Sequence, residues 1–68
     1  MPEQPELMIG DAVRRAWSHT VMIVFDIGEH GRTVFCNWSE GRGELMWCEY
    51  MQHELIFVAR GRHVRHCV

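Results

Sequence analysis

The sequence predicts an all-β fold, a small, strongly bent and partly open barrel of five strands with a short 3₁₀ turn before the last strand. Two runs rich in aromatic and β-branched residues, 33–38 and 45–51, flank a segment with two glycines, which is typical of a β-hairpin. A third run, 21–27, holds five β-branched or aromatic residues among seven and predicts another strand. Tight turns join the strands, as they do in small barrels.

The other elements follow in chain order. Residues 12–16 predict the first strand; a helix capped by Asp11 is the alternative, and it is disfavoured because no apolar stripe with helical spacing continues. Residues 28–32 hold two glycines and predict a turn. Residues 52–55 are too few for an α-helix and suit one 3₁₀ turn, after which 56–59 predict the last strand.

The chain of 68 residues has the length of one small domain. We expect residues 1–6 to be a flexible N-terminal arm, 7–60 to form the barrel and 61–68 to be a C-terminal Arg/His tail. The first residues lack the basic start and apolar stretch of a secretory signal, and no apolar run approaches the ~20 residues that cross a bilayer. We therefore predict a cytoplasmic protein without a membrane partner.

Composition narrows the function classes. The formal net charge of −2 argues against a generic nucleic-acid binder, because neutralising phosphates requires positive charge. All seven basic residues are Arg, which reflects either genomic base composition or the use of the planar guanidinium in interfaces. The three Cys form no CxxC pair and suit reduced thiols.

Period-two alternation assigns side chains to the two faces of the sheet. Turns centred near Arg42 and His30 set the registers of the strands that they join. The expected cross-strand pairs are Trp38 with Met46, Cys36 with Cys48, Val34 with Tyr50, Val24 with Cys36, and Met22 with Trp38. The expected core is Met22, Val24, Val34, Cys36, Trp38, Met46, Cys48 and Tyr50, with Val13, Leu55 and Ile56 or Phe57 added.

The opposite face of the sheet is apolar as well, although a solvated face is normally polar. Its members are Ile23, Phe25, Phe35, Leu45 and Trp47. Exposed apolar clusters of this size mark interfaces, so we predict that this face binds a protein partner or a second copy of the chain. The alternative is that the arm or the tail covers the face, or that strong bending of the sheet buries it.

The residues predict no catalytic, cofactor or metal site. Candidate metal ligands are Cys36, Cys48, His53, His63, His66 and Cys67. The only closely spaced set is His63-x-x-His66-Cys67, which lacks the paired spacing of structural zinc sites. Cys36 and Cys48 are better explained as core thiols, with a disulfide between them as the alternative. No nucleophile with a base, carboxylate pair or phosphate-binding loop is recognisable, so we predict a non-enzyme without a small-molecule substrate.

Nucleic acid is the alternative partner. The residues that would contact it are those of the basic tail, Arg60, Arg62, His63, Arg65 and His66. Trp17, Phe25 and Trp47 offer rings on which bases could stack. Acidic residues in and around the hairpin, Glu40, Glu44 and Glu49, oppose this reading. A solvated tail without a partner is the simpler explanation.

Four groups of residues carry a resemblance to a known family: Gly10-Asp11-x-Val13, Met22-x-Val24-x-x-Ile27, Val34-x-Cys36-x-Trp38, and Tyr50 with Leu55 five residues later. Together they resemble the YodC-like family of uncharacterised small bacterial proteins over about residues 7–58. The chain departs from that pattern at Ser39, where the family often has Phe, at Met51, where it has Pro, and at 18–21, where it has a Ser-Gly-Gly-Pro-like loop. The resemblance implies an SH3-like β-barrel and carries over no reaction.

The function predicted from the sequence is that of a small bacterial or phage-borne protein-interaction or regulatory module. Self-association of the chain through its outer apolar face is the first expectation. The alternatives are a nucleic-acid-associated accessory protein that uses the Arg/His tail, and a phage-type inhibitor that caps a host protein.

Overall fold

The computed structural model describes residues 4–61. The secondary structure of this part consists of five strands and two single-turn 3₁₀ helices, which confirms the all-β prediction. In chain order they are β1 (Ala12–Arg15), β2 (Met22–Ile27), η1 (Glu29–Gly31), β3 (Thr33–Glu40), β4 (Glu44–Met51), η2 (Gln52–Glu54) and β5 (Leu55–Ala59). The first element is therefore a strand and not the alternative helix, and a 3₁₀ turn precedes the last strand as expected.

The strands form one antiparallel sheet in the order β4-β3-β2-β1-β5. The last strand lies beside the first, while β4 and β5 are the two edges. Within residues 4–61 no ladder joins these edges, so the observed architecture is an open five-stranded sheet.

The β3–β4 hairpin has the predicted register. Its ladder runs from Thr33 opposite Met51 to Glu40 opposite Glu44, and it places Cys36 opposite Cys48. Gly43 has a φ of +85°, a conformation that favours glycine, and its N–H donates to the Glu40 carbonyl at 2.8 Å. This three-residue turn fixes the register of the two long strands.

Strand β2 contains a β-bulge that the sequence analysis does not predict. Val24 lies opposite Cys36, but Asp26 lies opposite Phe35, so Phe25 is an additional residue on β2. Because of the bulge, Val24 and Ile27 contact the same core although they are three residues apart. The ladder ends at Ile23 and Asn37 and does not include the expected pair of Met22 with Trp38.

The core lies on one face of the sheet. Its buried members are Leu7, Val13, Met22, Val24, Val34, Cys36 and Leu55, and Ile27, Trp38, Tyr50 and Phe57 pack against them. The prediction that Met46 and Cys48 are core residues is wrong, since Met46 is 40% exposed and Cys48 is exposed. Both lie opposite inward-facing residues of β3, but β4 is an edge strand, and within residues 4–61 the core does not extend over this part of it.

A buried carboxylate joins the segment before β1 to the segment after β5. Asp11 is 1% exposed, and its Oδ2 accepts hydrogen bonds from the Met8 N–H at 2.8 Å and from Arg60 Nη1 at 2.9 Å. Its Oδ1 accepts the Gly61 N–H at 3.3 Å. The segment before β1 is thereby attached to the segment after β5. We call this arrangement the Asp11 clasp.

Two glycines permit the close approach that the Asp11 clasp requires. Gly10 has a φ of +99°, and its N–H donates to the Val24 carbonyl at 2.8 Å. A Cβ atom on Gly61 would lie 2.0 Å from the Gly10 carbonyl oxygen, which is far inside van der Waals contact. Any side chain at position 61 must therefore push the two segments apart.

Replacing Gly61 by Ala is expected to lower the free energy of unfolding by about 1–3 kcal/mol, because the clash involves rigid backbone. Gly41→Ala is the matched control, since a Cβ at Gly41 meets no atom within 4 Å. Urea denaturation followed by circular dichroism gives both values. Equal midpoints for Gly61→Ala and Gly41→Ala would show that the two segments are not in contact.

Candidate protein-interaction surface

Three aromatic rings meet on the face of the sheet opposite the core. The centroids of Phe25 and Phe35 are 6.2 Å apart, those of Phe25 and Trp47 6.3 Å, and those of Phe35 and Trp47 6.4 Å. The Phe25 and Trp47 rings meet edge to face with an interplanar angle of 84°. These separations are typical of favourable aromatic pairs, so the rings form one mutually supporting cluster.

The strand registers explain why the rings converge. Phe35 lies opposite Glu49 and Trp47 lies opposite Asn37, so the two rings are diagonal neighbours across the β3–β4 ladder. Phe25 is the additional residue of the bulge in β2, and bulges commonly redirect a side chain. Three neighbouring strands thus each contribute one ring.

The cluster is open to solvent. Trp47 is 63% exposed, Leu45 68% and Phe25 41%, while Phe35 at the centre is half-buried. A shallow groove of about 550 Å³ lies among these side chains. The full lining of the groove is Phe25, Asp26, Phe35, Asn37, Leu45 and Trp47.

We define the outer aromatic surface as the five residues predicted for the interface: Ile23, Phe25, Phe35, Leu45 and Trp47. The structure brings four of them together around the groove, whereas Ile23 is exposed on β2 opposite Asn37 and does not line it. Asp26 and Asn37 are additional lining residues that the sequence analysis does not identify. Alternation along β3 is the signal that could have revealed Asn37, since it shares a face with Phe35.

Acidic groups border the outer aromatic surface. Asp26 lines the groove, and its Oδ1 accepts the Ile27 N–H at 2.9 Å. Glu49, opposite Phe35 in the ladder, lies on the same face of the sheet. An apolar centre with an acidic rim suits a protein partner better than the phosphate backbone of a nucleic acid.

Strand β4 exposes apolar side chains on both of its faces. Leu45 and Trp47 belong to the outer aromatic surface, while Met46 and Cys48 are exposed on the opposite face. Only Tyr50 of this strand is half-buried, and the Arg15 guanidinium lies 5.4 Å from the centre of its ring.

The two thiols of the hairpin differ in their surroundings. Cys36 and Cys48 lie opposite each other and both are free, so the alternative disulfide is not formed in this structure. Burial, with a smaller contribution from the neighbouring Cys48 thiol, raises the pKa of Cys36 to about 11. A protonated, buried thiol of this kind is a packing group and not a nucleophile.

The residues proposed for nucleic-acid binding are not assembled into a site by the described part of the chain. Arg60 forms an ion pair with Asp11, and its guanidinium lies 5.2 Å from the centre of the Phe57 ring. The other four, Arg62, His63, Arg65 and His66, lie outside the described residues. Arg60 therefore has a structural role in the Asp11 clasp.

Among residues 4–61, no three His, Cys, Asp or Glu side chains come close enough together to hold a metal ion. Of the candidate ligands, His63, His66 and Cys67 lie outside the described residues. Within that range no helix has the length and apolar character that crossing a bilayer requires.

Comparison with protein-family models, curated proteins and solved structures found no match.

The buried Cys36 thiol predicts a pH dependence of stability. In the unfolded chain this thiol ionises near its ordinary pKa of 9.0, whereas in the folded protein it keeps its proton to about pH 11. The unfolded state therefore loses the proton first, and the free energy of unfolding falls as the pH rises from 9 to 11, by at most about 1.4 kcal/mol per pH unit. Below pH 9 this contribution is constant.

Urea denaturation at pH 8 and pH 10 measures the effect. Cys36→Ala removes this dependence, and Cys48→Ala, which alters only the exposed thiol, retains most of it. If the wild type and Cys36→Ala lose the same stability between the two pH values, the account of the Cys36 thiol is wrong.

Proposed function

We propose that the chain is a small non-enzymatic protein-interaction or regulatory module that acts through the outer aromatic surface, with a second copy of itself as the partner. The observation that supports the proposal is the convergence of Phe25, Phe35 and Trp47 into a solvent-exposed cluster. Monomeric proteins seldom leave such a contiguous apolar area in water, because covering it is favourable.

We further propose that the sheet belongs to an SH3-like barrel and that the protein is cytoplasmic. The strand order, with β5 beside β1 and a 3₁₀ turn before β5, agrees with the SH3-like barrel that the resemblance to the YodC-like family implies. The free thiols of Cys36 and Cys48 support the cytoplasmic location.

The energetics suit a reversible complex. Fully burying an exposed large apolar side chain contributes about 1.5–3 kcal/mol. Leu45 and Trp47, which are 68% and 63% exposed, have most of this gain available, whereas Phe25 at 41% and the half-buried Phe35 have less. Part of this gain is lost because association removes translational and rotational freedom.

The other two roles predicted from the sequence stay predictions. Arg60 is already paired with Asp11, so a nucleic-acid role depends on residues outside the described part of the chain. A phage-type inhibitor would use the same outer aromatic surface against a host protein.

The substitution Trp47→Glu is expected to abolish self-association, because it removes one ring of the exposed cluster and puts a charge in its place. Trp17→Glu is the matched control: Trp17 is 99% exposed and lies between β1 and β2, away from the cluster. Sedimentation velocity over a hundredfold range of concentration should show dimers for the wild type and Trp17→Glu, and monomers for Trp47→Glu. A wild type that stays monomeric throughout and captures no partner would contradict the proposal.

A further inference from the structure

The two edges of the sheet are not equally protected. At the β5 edge, the Gln4 side chain donates from Nε2 to the Leu55 carbonyl at 3.2 Å and accepts the Phe57 N–H at Oε1. This side-chain amide occupies the positions that an added strand would use, which is a common way to block an edge. The β4 edge is eight residues long, and in the described part of the chain β4 pairs only with β3.

Hydrogen bonds at the end of β4 show which of its backbone groups point away from β3. The Gln52 N–H donates to the Arg32 carbonyl at 2.8 Å, so the even-numbered residues of this strand face β3. In an antiparallel ladder the direction alternates, and the N–H and C=O groups of Leu45, Trp47 and Glu49 therefore point outward. The next N–H in that outward row, of Met51, donates to Glu54 Oε1 at 2.8 Å.

The outward row is thus capped at one end and open along the rest. Within residues 4–61 the only further hydrogen bond to this row is a weak one, which the Cys48 thiol donates to the Glu49 carbonyl oxygen at 3.7 Å. The same stretch carries exposed apolar side chains on both faces of the sheet. Unpaired backbone groups beside apolar side chains are the features that favour addition of a strand.

We propose that a second copy of the chain adds its β4 antiparallel to this edge, with Trp47 opposite Trp47 of the second copy. The inference rests on the proposed function and specifies how the two copies meet. In this register Leu45 of each copy lies opposite Glu49 of the other, so every open group of the outward row finds a partner. The Met51–Glu54 hydrogen bond is left intact.

Neighbouring registers are less favourable for identifiable reasons. Centring the pair on Cys48 sets Leu45 of one copy opposite Met51 of the other. The Met51 N–H would then have to give up its hydrogen bond to the Glu54 carboxylate. Centring it on Glu49 places two carboxylates directly opposite each other, which is destabilising. Centring it on Met46 sets Glu49 opposite Gly43, whose N–H is already bound to the Glu40 carbonyl.

The favoured register also joins the side chains of the two copies. On one face, the two Trp47 rings become neighbours and fuse the two outer aromatic surfaces into one continuous apolar area. On the other face, Met46 lies opposite Cys48 of the second copy, so apolar groups that are exposed in one chain cover each other. No acidic side chain of β4 faces an acidic side chain, which argues for a second copy as the occupant.

A proline at Glu49 tests the strand addition. Glu49→Pro removes an outward N–H without removing a hydrogen bond within the chain, and proline is tolerated at such edge positions. Glu49→Ala is the matched control, because it loses the same side chain but keeps the N–H. In sedimentation, Glu49→Ala should associate like the wild type, while Glu49→Pro should raise the dissociation constant at least tenfold with an unchanged circular dichroism spectrum.

Cross-linking tests the register. Residues 46 and 48 of opposing strands form a non-hydrogen-bonded pair with Cα atoms about 4.5 Å apart, within the range of a disulfide. Two proteins are used, both carrying Cys36→Ala and Cys67→Ser, so that no second thiol competes within the chain: one retains Cys48, and the other carries Met46→Cys and Cys48→Ser. Oxidation should give a covalent dimer when they are mixed and little when either is alone.

The outcomes separate this inference from the proposed function. If Glu49→Pro associates like the wild type while Trp47→Glu does not, the copies meet face to face and the strand addition is wrong although the interaction surface stands. If the protein that retains Cys48 cross-links to itself, the register is wrong. If the wild type is monomeric at every concentration, the strand addition by a second copy is wrong, and if it also captures no partner, the proposed function fails with it.

Discussion

The pairing of Cys36 with Cys48 in the β3–β4 ladder is the constraint on which the rest of the structure depends. Both strands carry apolar residues on both faces, so a shift of one residue would exchange the buried set for the exposed set. Val34 and Cys36 would then face solvent, and Phe35 would be buried in their place. The hydrophobicity of the two faces therefore gives little preference for one arrangement over the other. The three-residue turn at Gly43 decides between them, since it fixes which residues are opposite.

The bulge at Phe25 and the Asp11 clasp position the strands that do not belong to the hairpin. The bulge lets Val24 and Ile27 both reach the core and adds a third ring to the outer cluster. The Asp11 carboxylate is almost fully buried, a position that is costly unless hydrogen bonds compensate it. Three donors from both ends of the chain supply those bonds, so the charge is satisfied only when β1 lies between β2 and β5.

Much of this fold follows from local sequence signals. The strands, the hairpin register and the exposure of Trp47 can all be predicted from alternation and from the position of the turn. The bulge cannot be predicted from strict alternation, because alternation assumes that every second residue shares a face. The three-residue spacing between the apolar residues Val24 and Ile27 is the sequence feature that corresponds to the bulge. Alternation wrongly predicts Met46 and Cys48 to be buried, because the burial of an edge strand depends on what covers it, and the sequence of the strand does not determine that.

Long-range pairing is the other feature that local patterns do not reveal. Arg60 follows the last strand and precedes a basic tail, which suggested a role in binding nucleic acid. Its partner, Asp11, is 49 residues earlier in the chain, and only the sheet topology brings the two together. The outer aromatic surface can be predicted from local patterns, because the turn sets the register and alternation then puts Phe35, Leu45 and Trp47 on the face opposite Val34 and Cys36.

An exposed aromatic cluster and an open strand edge meet at β4, which contributes Trp47 to the cluster and forms the edge itself. Amide hydrogen exchange of residues 44–51 at low and high protein concentration tests this combination most directly. The amides of Leu45, Trp47 and Glu49 should exchange rapidly in dilute solution and become protected as the concentration rises, while the Cys48 amide, bonded to β3, is protected throughout. Rapid exchange of Leu45, Trp47 and Glu49 at every concentration, or protection that dilution does not remove, would contradict the account.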